Sequence, residues 1–120
     1  MKRVLDIPMM PPSKNESHSW HWAKRQRVKD AWVEQVWARV NSPRIPRPLD
    51  SVEASVLVMW DKPGPLPDPQ NLIGVHEYIA DGLVYANIIA DDSGGQYRAG
   101  YVGVVRGDGS TLVLLRWDDV

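Results

Sequence analysis

The sequence predicts an α/β (α+β) fold: a two-layer sandwich in which two helices cover one face of a small, mixed four-stranded sheet, in the order β-α-β-α-β-β. Three observations carry this. Residues 52–60 alternate strictly, with Val52, Ala54, Val56, Val58 and Trp60 on one side. Two stretches repeat their apolar residues at helical spacing, and two apolar runs near the C-terminus flank Gly107-Asp108-Gly109. A length of 120 residues suits one domain, residues 1–120, with a single core.

In chain order, residues 3–7 read as a strand stopped by Pro8, and Met9-Met10-Pro11-Pro12-Ser13-Lys14-Asn15 as a proline-punctuated loop. Residues 19–41 are helical, because Val28, Trp32, Val36 and Val40 recur every fourth position, supported by Ala31 and Val33. Residues 42–48 hold three prolines and form a connector that cannot continue the helix. After the strand at 52–60 and a Pro/Gly loop at 61–69, a second helix is expected over 69–85. Residues 87–95 return the chain through Ile88 and Ile89. Residues 96–105 and 110–117 then read as a hairpin turning at Gly107-Asp108-Gly109.

Composition narrows the chemistry. Zero cysteines exclude disulfides and thiolate metal sites, so a metal here takes oxygen or imidazole ligands. The start, Met1-Lys2-Arg3-Val4-Leu5-Asp6, has no apolar signal core, and no apolar run is long enough to span a bilayer. The expectation is a cytoplasmic protein without a membrane partner. The net charge of −1 conceals an asymmetry: residues 1–50 carry ten Lys/Arg against five Asp/Glu, and residues 51–120 carry four against ten. A basic first half is suited to phosphate contacts and an acidic second half to metal ligation.

The basic residues of the first helix, Lys24, Arg25, Arg27 and Lys29, sit near its start, where the helix dipole favours acids. A cluster that does not help the helix points to a phosphate partner, with Trp20 and Trp22 available for stacking. The competing reading is a solvated helix start with its tryptophans against the core. His18 and His21 share a helix face but have no third ligand nearby in sequence, which argues against zinc. No Ser/His/Asp nucleophile pattern, phosphate-binding glycine loop or dinucleotide fingerprint is present.

On the second helix, Leu72, Val75, Ile79 and Leu83 fall on one side. Gln70, Gly74, Glu77 and Asp81 fall on the other, at 100° per residue. Asp68 precedes this helix and Asp91-Asp92-Ser93 follows it, so both ends of the outward stripe carry acids. Each acid also has a structural reading: Asp68-Pro69 as a helix cap and first turn, Asp91-Asp92-Ser93-Gly94 as a turn, Asp81 as a solvated position.

Taken in order, these motifs resemble the RusA family of Holliday junction resolvases, over most of the chain. The matching residues are Pro11-Pro12-Ser13-Lys14-Asn15, the basic helix, Asp68-Pro69-Gln70-Asn71-Leu72, Asp81-Gly82-Leu83 and Asp91-Asp92-Ser93. The resemblance implies a Mg²⁺-dependent endonuclease (Mn²⁺ as a substitute) that cuts four-way junctions and other branched DNA, in a phage or prophage setting. It implies a homodimer, since symmetric cuts need two sites related by a twofold axis. Asp68 and Asp92 would be metal ligands, with Asp91, Glu77 and Gln70 completing the catalytic set. Lys14, Asn15, Lys24, Arg25, Arg27 and Lys29 would hold DNA. Two positions depart from the family: Gln70 stands for an aspartate and Glu77 for a lysine. A neutral amide is a weaker Mg²⁺ ligand than a carboxylate, so slower cleavage or none is expected. The alternatives are a catalytically lapsed DNA-binding or interaction module, and a protein-interaction dimer without nucleic acid.

Overall fold

The computed structural model describes residues 1–41, 45–93 and 95–118. Residues 42–44 of the connector expected over 42–48, and Gly94 of the expected acidic turn, lie outside the described residues. Strands β1 (Lys2–Ile7), β2 (Val52–Trp60), β3 (Tyr97–Arg106) and β4 (Thr111–Arg116) form one sheet in the order β1-β4-β2-β3. Helices α1 (Lys14–His18), α2 (Trp22–Val40) and α3 (Val75–Tyr85) complete the fold. The class is the expected one, a mixed sheet under one helical layer.

Alternation explains the layering. Val52, Ala54, Val56, Val58 and Trp60 of β2, Leu5 and Ile7 of β1, and Thr111, Val113 and Leu115 of β4 are buried on the helix side. They meet Trp32, Val36 and Val40 of α2 and Val75, Ile79 and Leu83 of α3, the apolar stripes expected from spacing.

Three expectations are corrected. The first concerns residues 96–117, which do not form a hairpin. β3 pairs in parallel with β2, while β4 inserts between β1 and β2, antiparallel to both. The reason lies in the turn, which crosses the end of β2. Met59 N donates to Ser110 O, Gly107 N to Trp60 O and Gly109 N to Met59 O. Gly109 has φ +87°, and any side chain there would also run into the Asp61 carboxylate.

The second correction concerns the start of the first helix. Ser13 accepts a hydrogen bond from Glu16 N at 3.2 Å, and this cap starts a separate helix α1 within the expected loop. The chain bends at residues 19–21, and α2 begins only at Trp22, capped by the His21 Nδ1, which accepts from Ala23 N. The third concerns residues 69–85, which are not one helix. Pro69–Leu72 is a 3₁₀ turn, and α3 starts after Ile73-Gly74. Gln70 is therefore off the wheel that carries Glu77 and Asp81.

Topology then brings the two candidate motif loops together. Because β1 and β2 are both antiparallel to β4, they run the same way, with Ile7, Thr111 and Val58 in one row. The loops that follow β1 and β2 therefore leave from the same end of the sheet. They are tied there by Thr111 Oγ1 donating to Met9 O at 2.7 Å and by the Lys62–Glu16 ion pair at 3.4 Å.

Helices α2 and α3 approach at Gly82, where a Cβ would sit 2.6 Å from Val36 Cβ and 2.7 Å from its Cγ1. Gly82→Ala gains roughly 1 kcal/mol of helix propensity, but must push apart a contact that Val36, branched at Cβ, cannot relieve by rotation. A net loss of about 1–2 kcal/mol is expected in urea unfolding, with an unchanged slope.

Candidate functional site: a basic groove beside the acidic motif

The groove is assembled from helix ends. The Arg25 guanidinium donates to Ser17 O (3.0 Å) and His18 O (3.1 Å), the terminal carbonyls of α1. One cation thus satisfies the helix end and fixes the angle between α1 and α2. This fold-back holds Lys14 and Ser17 opposite the 3₁₀ turn. The resulting cavity, about 280 Å³, is lined by Pro12, Lys14, Ser17, Gln70, Asn71 and Tyr78, among others. Ser17 and Tyr78 are shared with a second hollow of about 430 Å³, where His18, Trp22, Arg25 and Lys29 face Glu77. Pro-Pro-Ser-Lys-Asn and Pro-Gln-Asn-Leu, 54 residues and more apart in sequence, form the two walls of one groove.

The basic side chains differ in their freedom. Lys14, Asn15 and Arg27 are exposed. Lys24 is exposed and rests over the Trp20 ring at 4.6 Å, a cation–π contact that leaves ammonium hydrogens facing water. Trp22 is 73% exposed, too open for a core role. Lys29 is different: its ammonium lies 2.9 Å from Asp81 Oδ2 and 3.8 Å from Glu77 Oε1. The Asp81 hydrogen bond raises the lysine pKa above its ordinary value, against a lowering by burial. Asp81 Oδ2 is out of solvent contact, and its partner among the described residues is this ammonium. The expected solvated Asp81 is thus half of an interhelical ion pair.

The candidate acids are held as follows. Asp68 caps the 3₁₀ turn, its Oδ1 accepting from Gln70 N at 3.0 Å, and it stays exposed. Gln70 is exposed, with its side chain on the groove wall. Asp91 accepts from the Ser93 hydroxyl at 2.6 Å, and that bond holds its carboxyl below the usual range. Asp92 is exposed in the same turn. Glu77 is 70% exposed at its side chain. The structure therefore sets Gln70 and Lys14 around one cavity, and Glu77 with Lys29 and Arg25 around the next, with the Lys29 ammonium 3.8 Å from Glu77. Among the described residues, no three acidic or histidine side chains are gathered as a metal-holding group.

Sequence reasoning missed His76 and Tyr78. His76 is 9% exposed and shares the buried side of α3 with Ile79 and Leu83, an i, i+3, i+7 spacing that was there to be read. Its Nε2 lies 3.1 Å from Gly100 O, and a carbonyl only accepts, so Nε2 carries the proton. Nδ1 then accepts from the Tyr97 hydroxyl at 2.6 Å. Burial pushes the imidazole below its ordinary pKa and the Tyr97 hydroxyl well above its own. This clip fastens the start of α3, and with it the 3₁₀ turn, to β3. Tyr78 stacks on Trp32 at 5.9 Å, and its ring floors the groove.

No known protein-family model matches the chain, and no curated protein matches it.

Two outcomes follow from these contacts. The fold favours neutral His76, so the stability it contributes is present above pH 6.5 and is lost as pH falls through the depressed folded pKa. Thermal melts should therefore show a lower Tm at pH 5 than at pH 7.5, and the difference should shrink in His76→Phe. For the ion pair, Lys29→Met should cost about 1 kcal/mol or somewhat more, because both side chains are partly exposed but Asp81 Oδ2 itself is left buried without its cation. Asp81→Asn in the same chain should recover part of that loss in a double-mutant cycle.

Proposed function

We propose that the chain is a RusA-like, structure-selective endodeoxyribonuclease acting on four-way junctions and other branched DNA as a homodimer. The observation that carries this reading is the groove, in which Lys14 faces the Gln70-Asn71 motif across about 280 Å³. Arg25 and the exposed Trp22 extend that groove along α2. Cations interleaved with aromatics suit a nucleic-acid backbone and its bases. Asp68 and Asp92 would hold Mg²⁺ or Mn²⁺. Both offer hard carboxylate oxygens, and Asp68 retains Oδ2 after Oδ1 accepts from Gln70 N. A divalent ion held there would supply an activated water for attack on the phosphodiester. Asp91, Glu77 and Gln70 are the remaining polar groups of the set, while Lys14, Asn15, Lys24, Arg25 and Arg27 hold phosphates.

A second reading, a DNA-binding protein that has lost cleavage, is favoured by one observation. Lys29 reaches the face that bears Glu77 and Asp81, and neutralises acids that a metal site would leave free.

A synthetic four-way junction separates the two. Slow cutting in Mg²⁺ or Mn²⁺, abolished by Asp92→Asn and raised on the order of tenfold by Gln70→Asp, supports the nuclease. Salt-dependent binding without cutting, indifferent to Asp92→Asn, supports the lapsed enzyme. Lys14→Ala or Arg27→Ala should lower the salt slope of binding by about one in either case. No affinity for branched or linear DNA at low salt overturns both.

A further inference from the structure

Helices cover one face of the sheet, and the other face carries two hollows of different character. Strand register places Lys2, Arg116, Glu53 and Arg98 in one row across all four strands. These four, with Met1, Trp117 and Asp118 at the rim, line a hollow of about 600 Å³. The row holds three cations to one carboxylate, and no ion pair joins them among the described residues. Three gaps between strands, at about 4.8 Å each, make the row roughly 14 Å long. That length suits a chain of phosphates better than a single one. Glu53 stands between Arg116 and Arg98, so the cations form two positions along the row.

One row further along the strands, about 6.7 Å away, the face turns apolar. Val4, Leu57, Tyr101, Leu112 and Leu114 are among the residues around a second hollow, of about 220 Å³. Tyr101 is 72% exposed and Val4 59%. The tip of the Tyr101 ring reaches over Gly103, where a Cβ would come within 2.6 Å of it. A side chain at 103 would push the ring away, whereas glycine leaves it resting on the sheet and open to solvent. Asp6 lies one row beyond, so this acid and the three cations are separated by the apolar row.

From this pattern we infer that the open face is a platform for single-stranded DNA, with a base stacked on Tyr101 and flanking phosphates held by Lys2, Arg116 and Arg98. Platforms for single strands combine these two parts, a cationic track for the backbone and an exposed aromatic for the bases. The excess of unpaired cations in the row selects a polyanion. The aromatic and its apolar hollow, one row away, select a polyanion that carries flat apolar groups. Duplex DNA fits poorly, because it offers a sheet only base edges and keeps the base faces stacked. The cationic row also lies at the end of the face next to the acidic turn. Gln96 Oε1 accepts from Ala90 N at 3.2 Å and from Asp91 N at 3.3 Å, which ties that turn to the chain two residues before Arg98. A strand leaving the platform over Arg98 thus passes towards residues 91–93. The platform is separate from the groove, which is built on the helical side.

This inference is argued from the sheet, and its test contains neither a junction nor a divalent ion, so it fails or survives apart from cleavage. Fluorescence anisotropy in EDTA at low salt should show binding of labelled oligo(dT) of about ten nucleotides, within the site size of such a platform. Tyr101→Ala, at a position already open to water, should keep the fold by circular dichroism and weaken binding on the order of tenfold, while Tyr101→Phe retains it. Arg98→Ala and Arg116→Ala should each lower the salt slope by about 0.7, the single-strand value for one phosphate contact. Glu53→Gln should tighten binding, since it removes the one repulsive charge from the row. No binding, or binding weakened by Lys14→Ala and indifferent to Tyr101→Ala, overturns the proposal. Binding of oligo(U) without binding of oligo(dT) overturns the assignment to DNA.

Discussion

The last strand to be made sits in the middle of the sheet, and the rest of the molecule depends on that placement. β4 carries Thr111, Val113 and Leu115 into the core and is hydrogen-bonded along both edges, to β1 and to β2. Without it, β1 has no partner in the sheet. The insertion requires the chain to step over the end of β2 rather than double back beside β3. The Gly107-Asp108-Gly109 turn does this, with its amides bonded to Met59 and Trp60. Asp108 tightens the turn by accepting from the Ser110 hydroxyl at 2.6 Å, a bond that also holds its carboxyl below the usual range.

From that placement the groove follows. A strand antiparallel to two neighbours forces those neighbours to be parallel to each other, so the exits of β1 and β2 lie together. The proline loop after β1 and the proline loop after β2 then have to share one end of the sheet. The contacts there, Met9 with Thr111 and Glu16 with Lys62, are modest one by one. Their effect is geometric. They hold α1 against the 3₁₀ turn, so that Lys14 faces Gln70. The acidic turn at residues 91–93 is governed differently, since it precedes β3, which starts beside Val52 and is clipped to the start of α3 through His76.

What was legible in the sequence is what depends on neighbours along the chain. Alternation from Val52 to Trp60 gave β2 its bounds, and the spacing of Trp32, Val36, Val40, Ile79 and Leu83 identified the core stripes. What was hidden depends on neighbours in space. A Gly-Asp-Gly turn between two apolar runs is locally the same signal whether the strands pair or straddle a third. Ser13-Lys14-Asn15-Glu16 did carry a capping signature, but the prolines around it read as loop. Lys29 looked like a free phosphate ligand because Asp81 is 52 positions away, and only the crossing of α2 and α3 at Gly82 brings them to 2.9 Å.

The same crossing bears on what Glu77 does. A glutamate at a position where the RusA pattern that the sequence resembles has a lysine would, alone, leave α3 with an acidic face and no cation. The structure supplies a cation from the other helix, and Lys29 stands between Glu77 and Asp81. The charge of this corner is thus nearer to balance than α3 by itself suggests, and the exchange at position 77 is partly offset from α2. For Gln70 no offsetting acid is seen among the described residues: Lys14 faces it across the groove, and Asp68 accepts from its backbone N–H. Of the two departures from the RusA pattern that the sequence resembles, the amide at position 70 therefore weighs more heavily on the proposed metal binding than the glutamate at 77.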